Sequence, residues 1–188
     1  MNDANILNLL PLEKLKQFRH PSDPDDVNLI WRYRHHLGEI SEVWTWINLI
    51  ETALARRISQ QLESKYGQGW LNSKDFRKTL GRDLDAFQVV KGKLKRNRLT
   101  FGFWTTLIQD NKEKALWVPT LNQAFVPGTN RKAIYKAARE IRLVRNKVAH
   151  HELLEEFQIE SLRQAISSLA VALAPGFPEY IFFSTPKA

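Results

Sequence analysis

The chain has no cysteine among its 188 residues, which removes disulfide frameworks, thiolate metal sites and thiol nucleophiles together. Nothing in it then calls for an oxidising or a reducing compartment. Long apolar runs are missing as well. The longest, Leu169 to Ala174 with a few residues before it, is far short of the ~20 residues that span a bilayer. The start, Met1-Asn2-Asp3-Ala4-Asn5 before Ile6-Leu7, lacks the positive region of a secretory signal. A cytoplasmic protein with no membrane partner is the expectation. No internal repeat, low-complexity block or His-Glu-x-x-His spacing occurs, so repeat architectures and the zinc-protease arrangement drop out.

What is present is positive charge and helical periodicity. Lysine and arginine number 28 against 20 aspartate and glutamate, a net charge of +8, which favours polyanionic partners. A chain this long suits one domain with a real core. The pattern predicts a short helix near Ile6 to Phe18, then a loop through His20-Pro21-Ser22-Asp23-Pro24-Asp25-Asp26. A long core helix follows Gly38 and runs to about Tyr66, with Ile40, Val43, Trp44, Ile47, Ile50, Leu54, Ile58 and Leu62 at helical spacing and Gly67 as its stop. A helix near Asp83 to Asn97, a short aromatic helix over Phe101 to Gln109, and a loop from Pro119 to Gly128 come next. A helix from about Thr129 to Ala149 and a closing one from about Gln158 to Leu173 complete the set. The expected fold is all-α, an up-and-down helical bundle with a short N-terminal helix and a C-terminal tail. The expected divisions are 1–26, a helical domain over 27–174, and a tail over 175–188 holding Phe177, Tyr180, Ile181, Phe182 and Phe183.

The richest chemistry sits at Arg145-Asn146-Lys147-Val148-Ala149-His150, followed by His151-Glu152. Arginine grips phosphate oxygens with a planar fork, and histidine takes and gives protons near neutral pH. Their helix has a candidate cap at Thr129 or Asn130. At about 100° per residue, Ala137, Ile141, Val144 and Val148 form an apolar stripe, while Arg139, Leu143, Asn146 and His150 share another face. Arg145 lies about 140° from His150, so one straight helix does not join them. Either the helix unwinds near His150 or a second copy completes the site across a two-fold axis.

At these residues the chain resembles the Abi-like (abortive-infection-type) proteins of the HEPN superfamily, whose signature is an arginine, four to six residues and a histidine. Similar segments are Leu49-Ile50-Glu51-Thr52-Ala53-Leu54, Leu99-Thr100-Phe101-Gly102-Phe103-Trp104 and Leu116-Trp117-Val118-Pro119. The likeness spans roughly Val27 to Ala174. It departs at Leu153, where the family often has proline after His-His-Glu. The resemblance implies a HEPN-like bundle, dimeric, acting as a metal-independent endoribonuclease in a bacterial defence or toxin system, without cofactor. By that likeness Arg145 and His150 are the catalytic pair and Asn146 positions them. RNA and a second copy of the chain are the implied partners, with a separate antitoxin protein as a further one. The runner-up is a catalytically silent scaffold of the same family that binds RNA or a protein.

Simpler readings stand beside these. Cations at a helix C-terminus are favoured by the macrodipole alone, and Asn146 has a backbone-capping reading. The pairs His35-His36 and His150-His151 point about 100° apart within each pair and chelate poorly. The run Lys91-Gly92-Lys93-Leu94-Lys95-Arg96-Asn97-Arg98 is either a solvated helix end or a phosphate-binding strip, with Lys93, Lys95, Arg96 and Arg98 as its contacts. Arg142 and His151 are further candidates for RNA contact. Phe101, Phe103 and Trp104 read as core or dimer contacts. Trp31, Trp44, Trp46, Trp70 and Trp117 read as core, and Gly102 as a place where helices approach closely.

Overall fold

The computed structural model describes residues 15–19, 27–81, 83, 89–90, 93–94 and 99–182. The protein is all-α, a helical bundle. Its spine is α1, Val27–Tyr66, a helix of 40 residues and therefore about 60 Å long. It begins well before the expected start after Gly38. The buried positions His36, Ile40, Val43, Ile47, Ile50, Leu54, Ile58 and Leu62 keep a 3–4 residue spacing straight through that glycine, with Leu29 two turns before them. Burial along a continuous stripe outweighs the roughly 1 kcal/mol a glycine costs inside a helix. Gly67, at φ 80°, ends α1, with its N–H donating to the Glu63 carbonyl at 2.9 Å.

A 3₁₀ turn at Trp70–Asn72 leads into α2, Lys74–Leu80, capped by Ser73, whose hydroxyl accepts from the Phe76 N–H. Trp70 and Phe76 meet edge to face at 4.9 Å in the core. The end of α2 is fastened by buried Lys112, whose ammonium donates to the Thr79 and Leu80 carbonyls and pairs with Asp83 at 2.6 Å.

The helix expected over Asp83 to Asn97 is replaced, where the chain is described, by a two-residue antiparallel ladder, β1 Val89–Val90 against β2 Lys93–Leu94. Consecutive β-branched valines and a nearby glycine are poor helix formers and suit a strand pair. Ile6 to Lys14, His20 to Asp26, Lys95, Arg96 and Arg98 lie outside the described residues, as does the side chain of Lys93.

Helix α3, Phe101–Leu107, has every residue buried except Gly102. A 3₁₀ turn at Asp110–Lys112, a π-helical turn at Glu113–Trp117 and another 3₁₀ turn at Leu121–Ala124 follow. Helix α4, Arg131–Ala149, starts at Asn130, whose side chain accepts from the Ala133 N–H. Its expected apolar stripe is buried: Ile134, Ala137, Ala138, Ile141, Val144 and Val148. Helix α5, Glu156–Leu173, opens with a reciprocal capping box between Glu155 and Gln158 and packs along α4. Residues expected as a tail form α6, Phe177–Phe182, with Ile181 in the common core and Phe182 edge-on to Trp46 at 5.3 Å. Among the described residues no helix is long and apolar enough to cross a membrane.

Trp46, Trp70 and Trp117 are core and Trp44 is partly buried against it, but Trp31 is 67% exposed. It stacks on His35 at 5.4 Å on the outside of α1. Phe101, Phe103 and Trp104 are fully interior, which excludes them as a base-stacking platform.

Candidate functional site

The C-terminal half of α4 lies across α1 and the start of α3, and the three helices meet at Arg145. Trp44 and Glu51, two turns apart on α1 and so on one face, flank its side chain. The guanidinium carbon stands 5.6 Å from the Trp44 ring centroid. Glu51 interacts electrostatically with Arg145 and accepts a hydrogen bond from the Phe101 N–H at the first residue of α3. Burial pushes the Glu51 carboxyl above its ordinary value, and Arg145 and the Phe101 N–H only partly oppose that. One carboxylate therefore ties all three helices to the arginine. Its Nε is buried without a hydrogen-bond partner among the described residues.

Beyond this clamp the arginine lines a cleft of about 230 Å³ bounded by Thr100, Phe101, Gly102, Arg142, Arg145 and Asn146. The cleft thus gathers three of the residues singled out in the sequence: Arg142, Arg145 and Asn146. It carries two guanidiniums, an amide, a hydroxyl and a bare glycine edge, an arrangement matched to an oxyanion. Gly102 has a different setting from the expected helix–helix approach. A methyl group placed there meets Thr100 Oγ1 at 3.5 Å and Arg142 Cδ at 3.8 Å, with no backbone pressed against it.

His150 is not among the residues lining that cleft. It forms the C-cap of α4, exposed, with its N–H donating to the Asn146 and Lys147 carbonyls at 3.1 Å. The helix stays wound up to this point and then stops sharply. His151 takes a left-handed conformation, φ 54°. Its N–H reaches the Val148 carbonyl, and the Glu152 N–H reaches Lys147, both at 3.0 Å. This pair of bonds is a Schellman closure, in which the left-handed residue is usually glycine. The exit behind it is braced from α1 and the segment before it. Buried His36 shares a hydrogen bond with the Glu152 carbonyl at 3.4 Å, and the Gln17 amide oxygen accepts from the Leu153 N–H at 3.2 Å.

On the other side of Trp44 lies an apolar groove of about 430 Å³ formed by Leu37, Ile40, Ser41, Trp44, Val148, Ala149 and His151. Leu143, between Arg139 and Asn146 on the outer face of α4, is 50% exposed. His35 and His36 share Glu39 at 3.8 Å, and among the described residues no group of three or more His, Cys, Asp or Glu is placed to hold a metal.

Sequence reasoning missed the roles of Glu51 and Trp44. The i, i+7 spacing of an aromatic and a carboxylate beside the apolar stripe of the helix was the available signal. Glu51 falls at the edge of the buried stripe, where a carboxylate needs a partner. Comparison with protein families, with curated proteins and with solved structures finds no match for this chain.

Proposed function

We propose that the chain is a metal-independent endoribonuclease of the HEPN type, working as a homodimer in an abortive-infection or toxin-type setting. The observation that carries this is the clamp on Arg145. A guanidinium held between Trp44 and Glu51 shares a basic cleft with Arg142 and Asn146, one turn from an exposed histidine at the helix end.

The chemistry is an internal transesterification. The ribose 2′-oxygen forms a bond to phosphorus while the bond from phosphorus to the 5′-oxygen breaks. One imidazole takes the 2′-hydroxyl proton and a second gives a proton to the departing 5′-oxygen. Arg145 stabilises charge on the phosphorane, and Asn146 orients the phosphate beside it. The products are a 2′,3′-cyclic phosphate and a 5′-hydroxyl. Two imidazoles are needed and each chain brings one His150, so a two-fold pair supplies both. The apolar groove beside Val148 and the half-exposed Leu143 suit such a face. His151 and the strip from Lys93 to Arg98 extend the RNA contact. The second reading, a non-cutting RNA scaffold, draws on the separation of His150 from the cleft within one chain.

The test uses single-stranded RNA and the purified full chain. His150→Ala should lower cleavage about 10²–10⁴-fold with fold and dimer unchanged, cutting should persist in EDTA, and ends should be cyclic phosphates. Light scattering should return a dimer. RNA bound tightly but cut under no condition overturns the enzyme in favour of the scaffold.

A further inference from the structure

Gly102 occupies an unusual position. It is the one residue of α3 that is not buried, and its backbone needs no left-handed conformation. The nearest atoms to an added methyl, Thr100 Oγ1 at 3.5 Å and Arg142 Cδ and Nη1 at 3.8 and 3.9 Å, are in ordinary contact range. Alanine would therefore fit and would favour the helix. What alanine would also do is fill the floor of the basic cleft.

The walls of that cleft have spare capacity. Arg142 is half-buried, yet it has neither a hydrogen bond nor an ion pair among the described residues. The Thr100 side chain makes no capping bond to α3. Arg145, by contrast, already faces Glu51 and Trp44. Along α4 the order is Arg142, Arg145, His150, so Arg142 lies about 4.5 Å along the axis from Arg145, on the side away from the histidine. A half-buried cation without a counterion, a free hydroxyl and an open backbone edge form a receptor for a tetrahedral anion, with the guanidinium fork on two oxygens and the hydroxyl donating to one.

We propose that Arg142, Thr100 and the bare edge of Gly102 form a subsite for an RNA phosphodiester neighbouring the one that reacts. This rests on the ribonuclease reading of Arg145 and His150, and it makes the substrate a strand engaged at more than one phosphate. Gly102 is kept bare because the sugar–phosphate chain passes over it.

Two variants of the full chain decide the matter, Gly102→Ala and Arg142→Gln, with three probes. These are a short fluorescein-labelled single-stranded RNA carrying 2′-O-methyl riboses, its cleavable counterpart, and inorganic phosphate at constant ionic strength. Gly102→Ala should raise Tm by roughly 2 °C through helix propensity while weakening the Kd for the methylated RNA about tenfold. Arg142→Gln should raise KM about tenfold with a much smaller change in kcat, and reduce the salt slope of binding by about 0.7, one phosphate's share on a single strand. Gly102→Ala with a higher Tm and unchanged Kd overturns the subsite, since the cleft is then only a gap. A fall in kcat at constant KM for Arg142→Gln also overturns it, placing Arg142 on the reacting phosphate. Displacement of the RNA by inorganic phosphate does so too, in favour of a free-phosphate site. If both variants weaken binding but the unaltered chain never cuts, the ribonuclease reading falls and the RNA cleft stands. If the chain cuts and neither variant matters, the reading stands and the subsite falls.

Discussion

Helix α4 carries an arginine near each end, one buried and one half-buried, and the two are used in opposite ways. Arg131, at the start, is fully interior and closed by partners. Its Nη1 donates to the Ile108 carbonyl at 3.0 Å, its Nη2 bonds Asp110, and its Nε lies 3.6 Å from Glu113. Both terminal nitrogens of the fork are thus spent on neighbours that join α3 and the following turn to α4, while Nε makes no hydrogen bond and only faces the Glu113 carboxylate. Arg145, near the end, has one aromatic face and one carboxylate beside it, with the rest of its fork left to a cleft. A structural arginine is one whose donors the fold consumes. A functional one is held by part of its surface and keeps donors for something else.

Substitution should separate the two most sharply. Arg145→Ala is expected to lower RNA cleavage about 10²–10³-fold with a smaller loss of Tm than at Arg131, because a half-buried stem and the charge facing Glu51 are lost but no carbonyl is uncovered. Arg131→Ala should do the reverse. It uncovers the Ile108 carbonyl and removes a buried stem, costing about 2–3 kcal/mol and roughly 6–10 °C in Tm, with cleavage retained below the transition. Calorimetry and a cleavage assay on the same samples check both. Equal effects on both readouts from both variants would break the distinction.

Glu51 sharpens it further. Gln at 51 still accepts from the Phe101 N–H but carries no charge to aim Arg145. Cleavage should drop about tenfold while Tm at neutral pH rises slightly, since a carboxyl with a raised pKa favours the neutral form in the fold. A fall in Tm would mean that the attraction to Arg145 outweighs the burial.

His151→Gly tests the exit from the helix. Glycine relieves the left-handed backbone and should stabilise by about 1 kcal/mol, read as a Tm rise of roughly 2–4 °C. RNA affinity should fall if the imidazole contacts the strand.

The smallest effect is in acid, and the two ends of α4 give it opposite signs. The Arg131 guanidinium, bonded to Asp110, holds that carboxyl below its ordinary value. The stability it supplies is therefore full above the ordinary aspartate value and lost as pH falls through the lower folded one. Glu51, raised, supplies stability that is full below the ordinary glutamate value and is lost as pH rises through the folded one. Tm measured from neutral pH downward should fall less steeply in Asp110→Asn and lose its opposing contribution in Glu51→Gln.

How much of this was legible beforehand follows from range. The motif helix could be read because its cap at Asn130, its buried stripe and its end at Ala149 are all local signals. The solvent face of Arg139, Leu143, Asn146 and His150 followed from the same period. The beginning of α1 could not, because Gly38 looks like a boundary until distant helices cover both of its flanks. Trp31 read as core by residue type, and among the described residues no element covers it on that turn of α1. The strand pair at Val89–Leu94 turned on cross-strand bonds that a run of cations hides.

What the sequence alone determined, then, is the all-α class, the buried faces of the long core helix and the motif helix, the positive charge, and the pairing of arginine, amide and histidine on one helix end. These depend on neighbours three or four residues apart. The tertiary structure decided which cation is consumed and which is left free, because that depends on Trp44 and Glu51, about a hundred residues away in sequence, and on α3 passing beside them. It also decided that Gly102 opens onto a cleft instead of a helix contact. Side chains that meet only after the bundle closes leave no periodic trace in the chain, since the free energy that brings them together belongs to the core around them.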